Sequence, residues 1–270
     1  MNFMEIDLIG GNGFIGKAIN KVNKINKIRT WSHNSIDKDL NFDLYDQSSW
    51  GKLLNSSPKN VIFLSWPGLP NYMEMFHITK NLPYTVKLVE ELNNSGLENL
   101  VVSGTCFEYG LKNGPLKEDD ITDPINAYAI AKDSLRRTLN IFCKKNSIRF
   151  SWARIFYPFG YGQNPLSLLP SLERAIDSKE QFFSLGSGKN IRDYISCDDV
   201  ANMLLNLLTI TDASGIYNCG SGNPISIYEL VSRKKNKLGS KIELRFDNSI
   251  NRWYEPVAAW ADMSKYRKLL

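Results

Sequence analysis

A short glycine-rich segment near the start of the chain restricts its fold more than any other feature. An apolar run over residues 4–9 leads directly into Gly10-Gly11-Asn12-Gly13-Phe14-Ile15-Gly16. The spacing fits both G-x-G-x-x-G (Gly11, Gly13, Gly16) and G-x-x-G-x-x-G (Gly10, Gly13, Gly16). Glycines allow a tight turn with positive φ and let a ligand come close to the backbone. A helix starting there directs free N–H groups and the positive end of its dipole at an anion. A plain glycine turn is the alternative. The position, after a strand pattern and before a helix pattern, favours a cradle for the pyrophosphate of a dinucleotide.

The remainder of the chain has to provide a sheet around that loop. Short apolar runs at 4–9, 27–31, 61–65, 99–103 and 149–156 alternate with helix-period segments such as Leu82-Val86-Val89-Leu92 and Leu135-Leu139-Phe142. Such alternation predicts βαβ units, an α/β doubly wound parallel sheet of the Rossmann type. After Tyr157 the pattern loosens into a stretch holding Pro158, Gly160, Gly162, Pro165 and Pro170. A helix over 199–208 and a strand over 216–219 return to the sheet. A helix near 226–238 and a strand near 241–246 read as a smaller lobe. The expected division is a dinucleotide-binding domain of 1–156 plus 196–219, and a substrate lobe of 157–195 plus 220–270.

Composition removes other classes. With 43% hydrophobic and 23% charged residues the 270-residue chain is ordinary globular material, not disordered, collagen-like or a disulfide scaffold. No apolar stretch reaches the roughly 20 residues that span a bilayer, and no secretory leader is visible, so no membrane association is expected. Cys106, Cys143, Cys197 and Cys219 are far apart and form no C-x-x-C pair, as reduced thiols of a cytoplasmic protein would be. No His/Cys/Asp cluster has ligand spacing, so no metal is expected. The net charge of +5 is spread along the chain, and the basic run Arg233–Lys237 reads as a solvated helix end, so no nucleic acid is expected.

An acidic residue at the end of the second strand would bond a free ribose 2′-hydroxyl. Here Trp31 is followed by Ser32-His33-Asn34, with no acid until Asp37. Small polar donors and a nearby base leave room for a 2′-phosphate, so NADP is expected rather than NAD; a merely solvated tip is the alternative. Asp43 is placed either to bond the adenine or to remain a surface carboxylate.

Tyr128-Ala-Ile-Ala-Lys132 puts a phenol and an ammonium on one helix face. A nearby cation is expected to lower the phenol pKa toward a useful range. Asp123-Pro124 reads as the N-cap and first residue of that helix. Thr105, at the end of the fourth strand, could bond a substrate carbonyl and share its proton with Tyr128, or cap its own turn.

Together these pieces resemble an extended short-chain dehydrogenase/reductase of the nucleotide-sugar epimerase/dehydratase superfamily. The matching residues are Gly10–Gly16, Asp43-Leu44, Asn81, Thr105 ahead of Tyr109-Gly110, Tyr128 with Lys132, Arg154-Ile-Phe, Arg192-Asp193-Tyr194, Asp198-Asp199-Val200 and Tyr217–Gly222, in order, with 252–265 resembling the final segment. The resemblance implies Tyr128 as proton donor or acceptor and Lys132 on the nicotinamide ribose. It implies Thr105 on the sugar carbonyl or hydroxyl, and Arg192 and Arg252 on the substrate diphosphate. It also lines the cofactor cleft with Phe14, Ile15, Leu44, Leu64, Ser65 and Trp66, simple packing being an equal reading of Trp66. Cys106 is read as a pocket-lining thiol and His77 as an ordinary helix-surface or packing residue.

Departures from the family pattern narrow the reaction. Dehydratases of this resemblance carry Asp-Glu directly after the Thr, where this chain has Cys106-Phe107. The epimerising reductases of this resemblance need a Cys at position 107 and a later His, and the two histidines, His33 and His77, both precede Tyr128. What remains is NADPH-dependent 4-ketoreduction of a nucleoside-diphosphate 4-keto-6-deoxyhexose, or 4-epimerisation with tightly held NAD. A non-catalytic NADP-binding regulatory module is the rival from another class. The resemblance also implies a homodimer built from helices near 76–94 and 124–145 as a four-helix bundle.

Overall fold

The computed structural model describes residues 4–33, 35, 37, 40–247 and 253–270. Asn34 and Arg252 lie outside the described residues. The main sheet contains β1 (Glu5–Ile9), β2 (Lys27–Trp31), β3 (Asn60–Phe63), β4 (Asn99–Thr105), β6 (Arg149–Ile155) and β10 (Gly215–Cys219). Its order is β10-β6-β4-β3-β1-β2, parallel throughout. The chain leaves β1 toward β2 and returns on the other side at β3. This reversal opens a crevice at the carboxyl ends of the strands, and the glycine segment sits in it.

The sheet is covered on both faces, which is why its strands read as apolar runs. Successive side chains alternate. Ile6, Leu8, Ile62 and Val101 pack toward α1 (Phe14–Val22) and α6 (Cys197–Thr209), whereas Ile9, Val61, Phe63, Leu100 and Val102 pack toward α3 (Leu82–Asn94) and α4 (Ala127–Lys145). The short α2 (Gly51–Asn55) places Leu53 on the second face.

Three small sheets accompany the main one among the described residues: β11 (Pro224–Ser226) with β9 (Ile191–Ser196) and β7 (Tyr157–Phe159), β12 (Glu243–Arg245) with β8 (Phe182–Ser184), and β13 (Ala259–Ala261) with β5 (Gly114–Leu116). A separate core of Leu172, Ala175, Leu185, Val231 and Ile242 joins α5 (Leu168–Asp177) to α7 (Ile227–Lys237). The terminal α8 (Ser264–Leu269) returns Tyr266 to the main core. Pro170 is not in the loop but in the first turn of α5, where its missing N–H costs nothing. The buried Asp193 carboxylate ties β9 to the Ser221 and Gly222 amides and to the Ala261 amide of β13.

One sequence expectation fails locally. Asp123 does not cap α4: its N–H donates to the Glu108 carbonyl, and the chain continues irregularly to Asn126. Asn126 is the N-cap, accepting from the Ala129 N–H at 2.8 Å.

Arg149 closes the far end of the sheet. Its guanidinium donates to the carbonyls of Leu207, Ile210 and Ala213, each at 3.0 Å, and to that of Leu208, so a cation satisfies the carboxyl end of α6 and the turn after it. Arg149→Met should lower stability by about 2 kcal/mol in urea unfolding followed by circular dichroism. An unchanged midpoint would show that water replaces the guanidinium without loss.

Candidate active site

The glycine cradle fits a dinucleotide. Gly13 is the N-cap of α1 and no side chain caps that helix. A Cβ at Gly10 (φ +88°) would lie 2.7 Å from the Ser65 nitrogen, one at Gly11 2.3 Å from Thr30 Cγ2, and one at Gly16 2.5 Å from Gly11 Cα. Those three glycines are demanded by packing. A Cβ at Gly13 would meet only the Gly10 carbonyl, at 3.2 Å, a tight contact that a shift of a few tenths of an ångström relieves, so Gly13 is the least crowded of the four glycines at the helix N-terminus. Phe14 and Ile15 anchor the first turn by packing against the core. The Leu64 N–H donates to the Ile9 carbonyl, so Leu64 and Ser65 form the adjoining wall.

Beyond β2, Ser32 is buried and its hydroxyl finds no hydrogen-bond partner among the described residues. The exposed His33 ring stands 3.4 Å from the Asp43 carboxylate, which also accepts from the Tyr45 N–H at 2.8 Å. Leu44 is buried beneath. An orphaned hydroxyl beside an exposed imidazole, at the end of the strand next to β1, is a suitable lining for the adenosine end of such a cofactor.

Thr105, Tyr128 and Lys132 meet at the carboxyl end of β4. The Thr105 hydroxyl lies beside the Tyr128 phenol and favours its ionised form, a smaller effect than burial. It also accepts from the Phe107 N–H at 3.3 Å, so it caps its own turn as well as reaching the phenol. Burial, followed by the nearby Tyr72 phenol, pushes the Tyr128 pKa up. This reverses the expected lowering by Lys132. The Lys132 ammonium is 1% exposed, donates to the Ser103 carbonyl at 2.8 Å and lies 4.0 Å from the Trp66 ring centroid. Burial lowers its own pKa to about 7. Spacing placed the two groups on one face but could not show how dry that face is. The consequence is a phenol that stays protonated and can donate.

Three neighbours of this cluster make contacts that escaped the sequence reading. Glu108 is fully buried; its carboxylate accepts from the Thr105 N–H at 3.0 Å, Trp152 Nε1 at 2.9 Å and Arg154 Nε at 2.8 Å. The pattern Thr105-x-x-Glu108 is a capping box visible in the sequence. Of the two readings of His77, packing holds: it is fully buried at the start of a π-helical turn, His77–Asn81, and what the sequence did not show is its bond to Trp66. Tyr72 accepts from the Tyr128 N–H at 3.0 Å, stands with its ring 5.5 Å from the Tyr128 ring, and lines an open hollow with Tyr254. No local pattern announces the last two.

On the substrate side Cys106 is half-buried, and burial pushes its thiol pKa up, away from a thiolate. Arg192 is not an open anion-binding arm. It is 1% exposed, with Nη2 2.9 Å from Glu255 and Nη1 donating to the Ile191 and Val257 carbonyls. Its guanidinium lies over the Tyr157 ring, whose buried hydroxyl has no partner among the described residues.

The less crowded position at Gly13 separates binding from folding. Gly13→Val should leave the thermal midpoint within about 3 °C, because its φ of −71° suits any residue. It should weaken NADPH binding at least about tenfold by fluorescence titration. Equal affinity would remove the cradle from that role.

Three comparisons bear on this geometry. The family described as NAD dependent epimerase/dehydratase matches residues 6–220. The dTDP-6-deoxy-L-talose 4-dehydrogenase (NAD(+)) of Aggregatibacter actinomycetemcomitans is 26% identical, over 95% of this chain and 99% of that protein. A UDP-glucose 4-epimerase of Lactobacillus helveticus is 24% identical, over 99% and 91%. Among solved structures, the UDP-N-acetylglucosamine 4-epimerase of Methanobrevibacter ruminantium M1, in complex with UDP-N-acetylmuramic acid, superposes with a TM-score of 0.82 at 23% identity, covering all of this chain and 92% of that one. With a family match running from β1 through β10, across the glycine cradle and the Thr105–Tyr128–Lys132 cluster, the chain belongs to the NAD-dependent epimerase/dehydratase family of nucleotide-sugar enzymes.

Proposed function

We propose that this chain reduces the C4 carbonyl of a nucleoside-diphosphate 4-keto-6-deoxyhexose, using NADPH, in deoxysugar formation for surface polysaccharide such as lipopolysaccharide. The observation that carries this reading is the Tyr128 phenol, kept protonated by burial and set beside the Thr105 hydroxyl, with Phe107 close by instead of a second acid or base. A bound nicotinamide supplies the hydride. Tyr128 gives its phenolic proton to the C4 oxygen as the alcohol forms, and Thr105 holds that oxygen in line. Lys132 holds the nicotinamide ribose. Arg192 and Arg252 take the diphosphate, Arg192 by exchanging the Glu255 carboxylate for another oxyanion.

Dehydration needs an additional acid and base. Cys106 keeps its proton, and Glu108 is turned inward onto Trp152 and Arg154. The unclaimed Ser32 hydroxyl and the exposed His33 support NADPH over NADH, with Asp43 on the adenine side. The runner-up is a 4-epimerase with tightly held NAD, since the same three residues would suffice and an epimerase is among the relatives.

The test is oxidation of NADPH and NADH against 4-keto-6-deoxysugars carrying dTDP, GDP, CDP or UDP. NADPH consumption with one nucleotide is expected, and Tyr128→Phe should lower kcat about 1,000-fold with NADPH affinity nearly unchanged. Silence across the panel, with NAD co-purifying, would transfer the assignment to epimerisation.

A homodimer through α3 and α4 belongs to the same proposal. The two helices pack side by side, and α4 leaves Ile130 and Ile141 exposed. Sedimentation equilibrium should give about twice the 30.7 kDa chain mass, and the monomer mass would contradict it.

A further inference from the structure

Lys132 is held on a surface that comes from outside its own helix. The Trp66 indole faces the ammonium at 4.0 Å, with Trp152 more distant at 5.9 Å. The orientation of Trp66 is set by His77. The indole Nε1 donates to His77 Nδ1 at 3.0 Å, and Asn81 Nδ2 donates to the same nitrogen at 3.2 Å. His77 Nε2 stands 3.0 Å from the Asn71 carbonyl, which can only accept. Two donors on Nδ1 and an acceptor at Nε2 require the neutral ring protonated on Nε2. Burial lowers the His77 pKa, in keeping with that form. Asn81 is itself fixed, donating to the Pro67 carbonyl at 3.0 Å and accepting from the Tyr45 hydroxyl. The indole is thus clamped from the loop after β3 and from the π-helical turn before α3.

We propose that His77 is a positioning residue acting through Trp66: the neutral imidazole fixes the indole so that its face, together with the Ser103 carbonyl, holds the Lys132 ammonium charged and aimed along the cleft. A cation on an indole face is stabilised by the ring quadrupole, more strongly where water is excluded. Burial opposes the charge and Glu108, behind β4, favours it. His77 also acts on Lys132, and Tyr128, one turn earlier on the same helix, stands against the Trp66 ring. Glu74 acts on His77 from its own loop. Removing the indole face takes away a contribution that favours the ammonium, so Lys132 should lose its proton at lower pH.

The reading of Lys132 as a ribose ligand rests on the proposed function, but the measurement needs neither substrate nor coenzyme and can fail separately. In protein carrying labelled lysine, the Lys132 side-chain resonance is assigned with Lys132→Met and titrated. The wild-type midpoint is expected near 7. Trp66→Leu and His77→Leu should lower it by about one pH unit. Trp66→Phe, which keeps an aromatic face, and His77→Gln, which keeps an acceptor for the indole N–H, should stay close to wild type. A Trp66→Leu midpoint equal to wild type would overturn the proposal. So would equal displacement in all four variants, which would mark loosened packing, and an unmoved His77→Leu would remove His77 from the device. Should Trp66→Leu not fold, the wild-type protein decides through its tryptophan emission. The pH dependence of the Trp66 contribution, isolated by difference from Trp66→Phe, should follow the Lys132 midpoint and be lost in Lys132→Met. An emission that ignores Lys132 would refute the contact.

Discussion

The buried Glu108 carboxylate is the constraint around which the reaction end of the molecule is built. An ionised group with no exposure to water is tolerated only where its oxygens are met by charge and by hydrogen bonds. Arg154 from β6 and the Trp152 indole from the same strand meet them on one side, and the Thr105 N–H of β4 meets them on the other. Removing one partner of such a pair typically costs about 3–5 kcal/mol. The carboxylate therefore locks two neighbouring strand ends and fixes the turn in which the Thr105 hydroxyl is presented. Arg154 is held in turn over the Tyr109 ring, and Tyr109 donates to Asn218 of β10 at 2.7 Å. The fixed point extends in this way across half the sheet.

Against that end, α4 delivers its two polar side chains into a space closed to water. Burial raises the Tyr128 pKa and lowers that of Lys132. The same lack of solvent thus keeps a proton on the phenol and weakens the hold of the amine on its own. Without Trp66 and the Ser103 carbonyl the ammonium would be left with the more distant Trp152 ring and Glu108 to favour it. On the opposite side of the crevice Gly13 and the uncapped start of α1 offer backbone N–H groups to an anion. A proton donor and an anion cradle at the carboxyl ends of the same parallel strands are the two features on which the proposed carbonyl reduction rests.

Much of this was legible in the sequence, for identifiable reasons. A parallel sheet covered on both faces needs apolar runs, so β1, β2, β3, β4, β6 and β10 stand at or within a few residues of where those runs place them. Gly10–Gly16 and Tyr128/Lys132 obey local spacing rules and fall where those rules put them. Local rules also misled. Asp123-Pro124 has the chemistry of a helix start, but the chain there is tied to the Glu108 carbonyl and runs on irregularly, and the helix begins at Ala127 with Asn126 as its cap. The sign of the Tyr128 shift depends on burial, which spacing does not contain. The Trp66–His77 bond spans a loop, and the Arg192–Glu255 pair joins segments far apart in the chain. Neither leaves a periodic trace.

The chemistry turns on whether hydride comes from an exchangeable coenzyme and stays in the product. Reduction by NADPH deuterated at the transferable C4 position, followed by mass spectrometry and proton NMR of the sugar, answers this directly. With Tyr128 donating its proton to the C4 oxygen, each turnover should consume one NADPH and leave one deuterium on sugar C4. A 4-keto sugar returned unreduced, with no deuterium at C4 and no NADPH consumed, while the matching 4-hydroxy nucleotide sugar is inverted at C4 without added coenzyme, would contradict reduction and establish epimerisation on a retained cofactor.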